Sequence, residues 1–182
     1  PAAFPWPRWI VHRGGGDAAP ENTLAGMLLA AFAGAKMVEF DVRLSADGVP
    51  FLLHDDTLER TTDGRGRASG HDWSVLARLD AGGWHSPEYA GEPPAHLAAI
   101  AAACRALDLA ANVEIKPEPG LDAGTGWAVA RACTWRGAAP TTPPASATST
   151  VRTSSCSRCG WRRATRPGPG PPPSGPTRSR PR

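Results

Sequence analysis

The chain has 182 residues, 41% hydrophobic and 20% charged, with 20 Gly, 20 Pro and a formal net charge of +3. The length fits one domain. The charge averages two unlike parts: residues 1–136 carry 12 Lys+Arg against 17 Asp+Glu, while residues 137–182 carry eight Arg and no Lys, Asp or Glu. A basic body built for nucleic acid is thereby excluded, and no nucleic-acid partner is expected.

No apolar run approaches the ~18 residues of a membrane span. The prolines of Pro1-Ala-Ala-Phe-Pro-Trp-Pro break the apolar region that a secretory signal needs. Four Cys do not make a disulfide scaffold. Cys104 and Cys133 fall in apolar helical patterns and read as packed thiols, so a reducing, cytoplasmic setting is expected.

In chain order, Trp9-Ile-Val-His12 is a short β-prone run closed by Arg13-Gly-Gly-Gly16, which predicts a buried strand and a turn. Asn22 stands where an N-cap is expected, before a helix whose Leu24, Met27, Leu28 and Ala31 share a stripe, and Gly34 stands where it ends. Met37 to Leu44 alternates, so Glu39, Asp41 and Arg43 share one face and Val38, Phe40 and Val42 the other. Asp47-Gly48 is a turn signal before a strand over 49–54. Residues 55–94 show little periodicity and read as a small insertion. A helix over 96–109, a strand over 111–116 closed by Pro117, and a helix over 121–136 follow. This alternation predicts an α/β fold with a mainly parallel sheet.

Residues 137–182 are different. They hold ten Pro and fourteen Ser or Thr, and no Leu, Ile, Phe or Met. Such a segment cannot bury enough apolar surface to offset backbone ordering at about 1–2 kcal/mol per residue, so disorder is expected. A GC-rich gene read out of frame would give the same mixture. Cys156-x-x-Cys159 is half of a zinc site with no second half and reads as bystander thiols.

The chemistry gathers at strand ends. His12-Arg13, Glu39 with Asp41, His54-Asp55, and Glu114 with Lys116 place polar groups where a buried strand would not choose them. In α/β barrels such ends converge on one face. Three carboxylates, Glu39, Asp41 and Glu114, suit a hard divalent cation, Mg²⁺ or Ca²⁺. Arg13 and Lys116 beside that cation are suited to holding a phosphate. His12 and His54 can then act as general base and general acid, in an order the residues leave open. Glu21, Asn22 and Asp55 are expected to orient these groups rather than act themselves. A tight two-residue hairpin at Asp47-Gly48 would set His54 opposite Asp41. His71, His85 and His96 read as structural or exposed.

Seven segments in order carry a resemblance: Val11-His-Arg-Gly14, Pro20-Glu-Asn-Thr23, Glu39-x-Asp41, Asp47-Gly-x-Pro50, His54-Asp55, Leu58-x-Arg-Thr-Thr62 and Val113-Glu-Ile-Lys116. Over about residues 9–131 the chain resembles the glycerophosphodiester phosphodiesterase family. The resemblance implies a (β/α)8 TIM barrel and hydrolysis of a small-molecule glycerophosphodiester to glycerol 3-phosphate and an alcohol. It implies His12 and His54 as acid/base pair, Glu39, Asp41 and Glu114 as metal ligands, and Arg13 and Lys116 on the phosphate. The family's barrel continues through about four more strands, which the sequence after residue 136 does not show. Residues 1–136 are therefore expected to be the N-terminal part of such a barrel, with 55–94 as its insertion and 137–182 as a tail. The competing expectations are an inactive remnant and a phosphate- or headgroup-binding module.

Overall fold

A computed structural model describes residues 6–133. The 137–182 segment, its Cys156-x-x-Cys159 and the end of the helix expected over 121–136 lie outside the described residues. Helix α1 (Leu24–Phe32) leads to strand β1 (Met37–Leu44) and strand β2 (Pro50–Leu52). The short α2 (Trp73–Leu76) and 3₁₀ turns at Ala68–Gly70 and Pro87–Tyr89 punctuate the insertion. Helix α3 (Leu97–Ala106), strand β3 (Ala110–Ile115) and helix α4 (Asp122–Cys133) follow. The sheet has the order β2-β1-β3, with β1 antiparallel to β2 and parallel to β3.

The first expected strand is reduced to one contact. Val11 forms a parallel bridge with Val38, donating to Met37 O at 3.0 Å and accepting from Glu39 N at 2.9 Å. Pro7 has no N–H to give, Trp9 is 72% exposed, and Arg13 turns the chain at φ +52°.

Helix α1 is capped by Thr23, not by Asn22. Thr23 Oγ1 accepts from Gly26 N at 3.1 Å and donates to Pro20 O at 2.8 Å. The buried face is Gly26, Met27 and Ala30, while Leu28 is 48% exposed. The helix turns that face inward because Gly26 lies against the chain before it: a Cβ there would sit 3.1 Å from Pro20 O and 3.2 Å from Gly15 N. At the other end Gly34 N donates to Ala31 O and Ala35 N to Ala30 O, the paired pattern that satisfies the last carbonyls.

The β1–β2 connection differs from the tight hairpin by one residue. Ser45 pairs with Val49 and Gly48 N donates to Ser45 O at 3.0 Å, closing a three-residue loop over Ala46-Asp47-Gly48 with Gly48 at φ +78°. The register becomes Val42↔Leu52 and Arg43↔Phe51. One residue of slip moves every side chain to the other face, so His54 does not stand opposite Asp41. The strand ends at Leu52 and the chain bends at His54, which decides where that ring goes.

Two cores result. Val38, Phe40, Val42 and Leu52 pack with Met27, Ala30, Leu97, Ile100, Cys104 and Val129 from the helices. On the other side of β2, Phe51 and Leu53 pack with Leu58, Ala68 and Leu76, giving the insertion a core of its own. Cys104 and Cys133 are free thiols whose pKa values burial pushes up. No helix among the described residues is long and apolar enough to cross a membrane.

Candidate active site

Parallel pairing builds the acidic centre. The β1–β3 register sets Asp41 beside Glu114 and Glu39 beside Asn112, so the alternate residues of both strands share a face. One carboxylate oxygen from each of Glu39, Asp41 and Glu114 lies within 4.8 Å of the others. Glu39 and Asp41 are buried at 6% and 1% exposure, whereas Glu114 is exposed.

Three carboxylates this close repel one another unless offset. Burial, with Asp41 and Glu114 adding repulsion, pushes the Glu39 pKa up to about 7, although the Arg13 N–H donates to its Oε2 at 2.9 Å. Its Oε1 is buried with no hydrogen-bond partner. Asp41 is held more completely. Asn22 Nδ2 donates to its Oδ2 at 2.9 Å, and its own backbone N–H donates to Asn22 Oδ1 at 3.0 Å. Lys116 Nζ sits 3.4 Å from Asp41 Oδ1 and 2.6 Å from Glu114 Oε1. An all-oxygen set of carboxylates with an unsatisfied buried oxygen fits a hard divalent cation; in the structure Lys116 supplies the offsetting charge.

The flanks carry the remaining predicted residues. His12 Nε2 lies 3.8 Å from Glu39 Oε2. Burial lowers the His12 pKa, and the nearby Arg13 charge lowers it further against Asp41 and Glu21. Arg13 NH1 donates to both oxygens of Glu21 at 3.0 Å, and its Nε points at Asp41 Oδ2 across 3.7 Å, buried without a partner. Both Arg13 and Asn22 adopt left-handed backbone, at φ +52° and +58°, and Asn22 N donates to Arg13 O at 2.8 Å. Such conformations cost about 1–3 kcal/mol each and persist where the surroundings fix them. Asn22, expected both as a helix cap and as a residue that orients the site, does only the second, holding Asp41.

His54 is held from two sides. Its Nδ1 lies 2.7 Å from Asp55 Oδ1, and its carbonyl accepts from Arg43 Nε and NH2 at 3.1 and 2.9 Å. Arg60, to which the sequence reading gave no role, donates to Asp55 and Glu21 together. The Arg60 hydrogen bonds, helped by His54 and opposed by burial, hold the Asp55 carboxyl far below the usual range. Its signal was the Leu58-x-Arg-Thr-Thr62 segment, but no local pattern announces that an arginine in an irregular loop will fold back onto Glu21.

The three other histidines are structural or peripheral. His96 Nδ1 accepts from Ala98 N at 2.9 Å and caps α3. His71 and His85 contact the carbonyls of Arg65 and Asp17. Gly15 and Gly16 amides donate to Arg13 O and His12 O, so these amides serve the turn itself.

Known proteins share this arrangement of chain. A phosphodiesterase of Oleispira antarctica, solved in complex with the product sn-glycerol-3-phosphate, is 42% identical with a TM-score of 0.68, covering 69% of this chain and 51% of that one. A glycerophosphodiester phosphodiesterase of Caldanaerobacter subterraneus is 36% identical over 107 residues, 59% of this chain and 44% of that protein. Bovine glycerophosphodiester phosphodiesterase 1 is 47% identical over 76 residues, 42% of this chain and 23% of that protein. The chain therefore spans between about a quarter and about half of these relatives' lengths. The solved relatives are TIM barrels, and the described sheet and helices are part of that α/β architecture. The profile of the glycerophosphoryl diester phosphodiesterase family matches residues 12–161, and the chain belongs to that family.

Proposed function

We propose that this chain carries the catalytic face of a divalent-metal-dependent enzyme that hydrolyses glycerophosphodiesters to glycerol 3-phosphate and an alcohol. The observation that carries the reading is the convergence of Glu39, Asp41 and Glu114, flanked by His12, Arg13 and Lys116. Glu39, Asp41 and Glu114 would hold Mg²⁺ or Ca²⁺. The bound cation supplies neutralising charge for the phosphate and for the negative charge that develops on it. Arg13 and Lys116, which flank the acidic centre, bind phosphate oxygens. One of His12 and His54 takes the proton of the nucleophile, water or the substrate's own glycerol hydroxyl, and the other returns a proton to the leaving alkoxide. Glu21, Asn22 and Asp55 keep Arg13, Asp41 and His54 in place. A cytoplasmic role in phospholipid-headgroup and glycerol turnover fits the free thiols Cys104 and Cys133.

The test is a phosphodiesterase assay on glycerophosphocholine with added Mg²⁺ or Ca²⁺. EDTA should abolish turnover reversibly, and His12→Ala or His54→Ala should each lower it by about 10²–10⁴-fold. Turnover retained in both variants overturns the mechanism.

A second reading, an inactive remnant or a headgroup-binding module, keeps Arg13 and Lys116 beside the acidic centre to hold a phosphate without turnover. It predicts thermal stabilisation by glycerol 3-phosphate without turnover. In this reading residues 137–182 are a separate, out-of-frame tail; mass spectrometry and resequencing that show an intact frame there remove that part.

A further inference from the structure

We propose that Arg60 is a positioning residue that fixes the acid/base imidazole of His54 and the phosphate-binding Arg13 through one guanidinium; this rests on the roles proposed above. The geometry is a continuous chain of charge-assisted hydrogen bonds. Arg60 Nε and NH2 donate to Asp55 Oδ2 and Oδ1 at 2.6 and 3.1 Å. Its NH1 and NH2 donate to Glu21 Oε2 and Oε1 at 2.9 and 2.8 Å. Each carboxylate then turns inward. Asp55 Oδ1 meets His54 Nδ1 at 2.7 Å, and both Glu21 oxygens accept from Arg13 NH1 at 3.0 Å. The order in space is Arg13, Glu21, Arg60, Asp55, His54.

The chemistry requires an arginine. Only a planar fork can engage two carboxylates in pairs of bonds at once; a lysine is a point charge that serves one. The consequence at His54 is specific. A carboxylate kept ionised by Arg60 only accepts, so the neutral imidazole must place its proton on Nδ1, which leaves Nε2 unprotonated. At the other end, Arg13 sits in left-handed backbone and needs Glu21 to hold its side chain; Arg60 keeps Glu21 from rotating away. Arg60 itself is 42% exposed, so its ion pairs contribute little to stability.

The full chain, loaded with Mg²⁺, is compared with Arg60→Ala and Arg60→Lys. Both variants should melt within about 5 °C of the parent. Both should lose about 10–100-fold in kcat on glycerophosphocholine, as when a hydrogen-bonding partner of a reactive side chain is removed. Free guanidinium should restore part of the loss in Arg60→Ala. Arg60→Ala combined with Asp55→Asn should lose less than the product of the two single losses, since both act in part through the His54 ring. Independently of turnover, ¹⁵N–¹H spectra should show His54 with its proton on Nδ1 in the parent and an added Nε2–H form in Arg60→Ala and Arg60→Lys. Unchanged kcat with unchanged tautomer, or losses that multiply in the double variant, overturn the proposal. A parent without turnover would instead defeat the functional reading, and the tautomer spectra would still decide the role of Arg60.

Discussion

The two faces of β1 are built from alternate residues of one strand, both largely buried, and they obey opposite rules. Val38, Phe40 and Val42 meet the helices in a core where every side chain gains from leaving water. Glu39 and Asp41, one residue away in each case, gain nothing from burial: one keeps an oxygen without a partner and the other needs Asn22, Lys116 and Arg13 around it. The apolar face stabilises the fold and tolerates any shape that fills it. The acidic face is carried by that stability, and its arrangement makes sense only as a site for charge.

Substitutions on the two faces should therefore diverge. The largest effect belongs to the apolar face: Phe40→Ala should cost about 3–5 kcal/mol of unfolding free energy, read by urea titration, because it empties the centre of the core. On the acidic face, Glu39→Gln should leave that free energy unchanged or raised while weakening Mg²⁺ or Ca²⁺ binding by at least about 100-fold in calorimetry. Equal destabilisation by both would erase the contrast. Asn22→Ala lies between: it strips Asp41 of both bonds to Asn22 and should cost about 2 kcal/mol together with a loss of cation affinity.

The smallest effect tests a residue away from both faces. Burial lowers the His96 pKa, and its unprotonated Nδ1 caps α3. The unfolded chain then binds this proton more readily than the folded one, so stability is full above about pH 6.5 and falls on acidification through the lowered folded value. His96→Asn should keep the cap and remove this share of the loss, seen as a smaller drop in melting temperature between about pH 7.5 and pH 5.5.

Much of the candidate site was legible because it is written at fixed offsets. Glu39 and Asp41 alternate within one strand, and a parallel partner with the same alternation brings Glu114 to them. Helices over 24–32 and 97–106 likewise follow from their apolar spacing and flanking polar residues. Three features were not legible. The three-residue loop at Ala46-Asp47-Gly48 and a two-residue turn share the same Asp-Gly signal, and the difference displaces His54 by one position. Asn22 and Thr23 both cap helices well, and which one does so depends on Asp41, distant in sequence, claiming Asn22. Arg60 lies in a stretch without periodicity, so nothing local says what it meets.

Residue order alone determined which side chains share a strand face, which helices have an apolar side, and that acids, imidazoles and cations sit at strand ends. Those are consequences of the two-residue and 3.6-residue repeats of the backbone, which any short window contains. The register of β2, the duty of Asn22 and the reach of Arg60 from the insertion to Glu21 and Asp55 were decided only when the chain closed on itself. Each is a choice between nearly equal local options, and the partner that tips it comes from a distant part of the sequence.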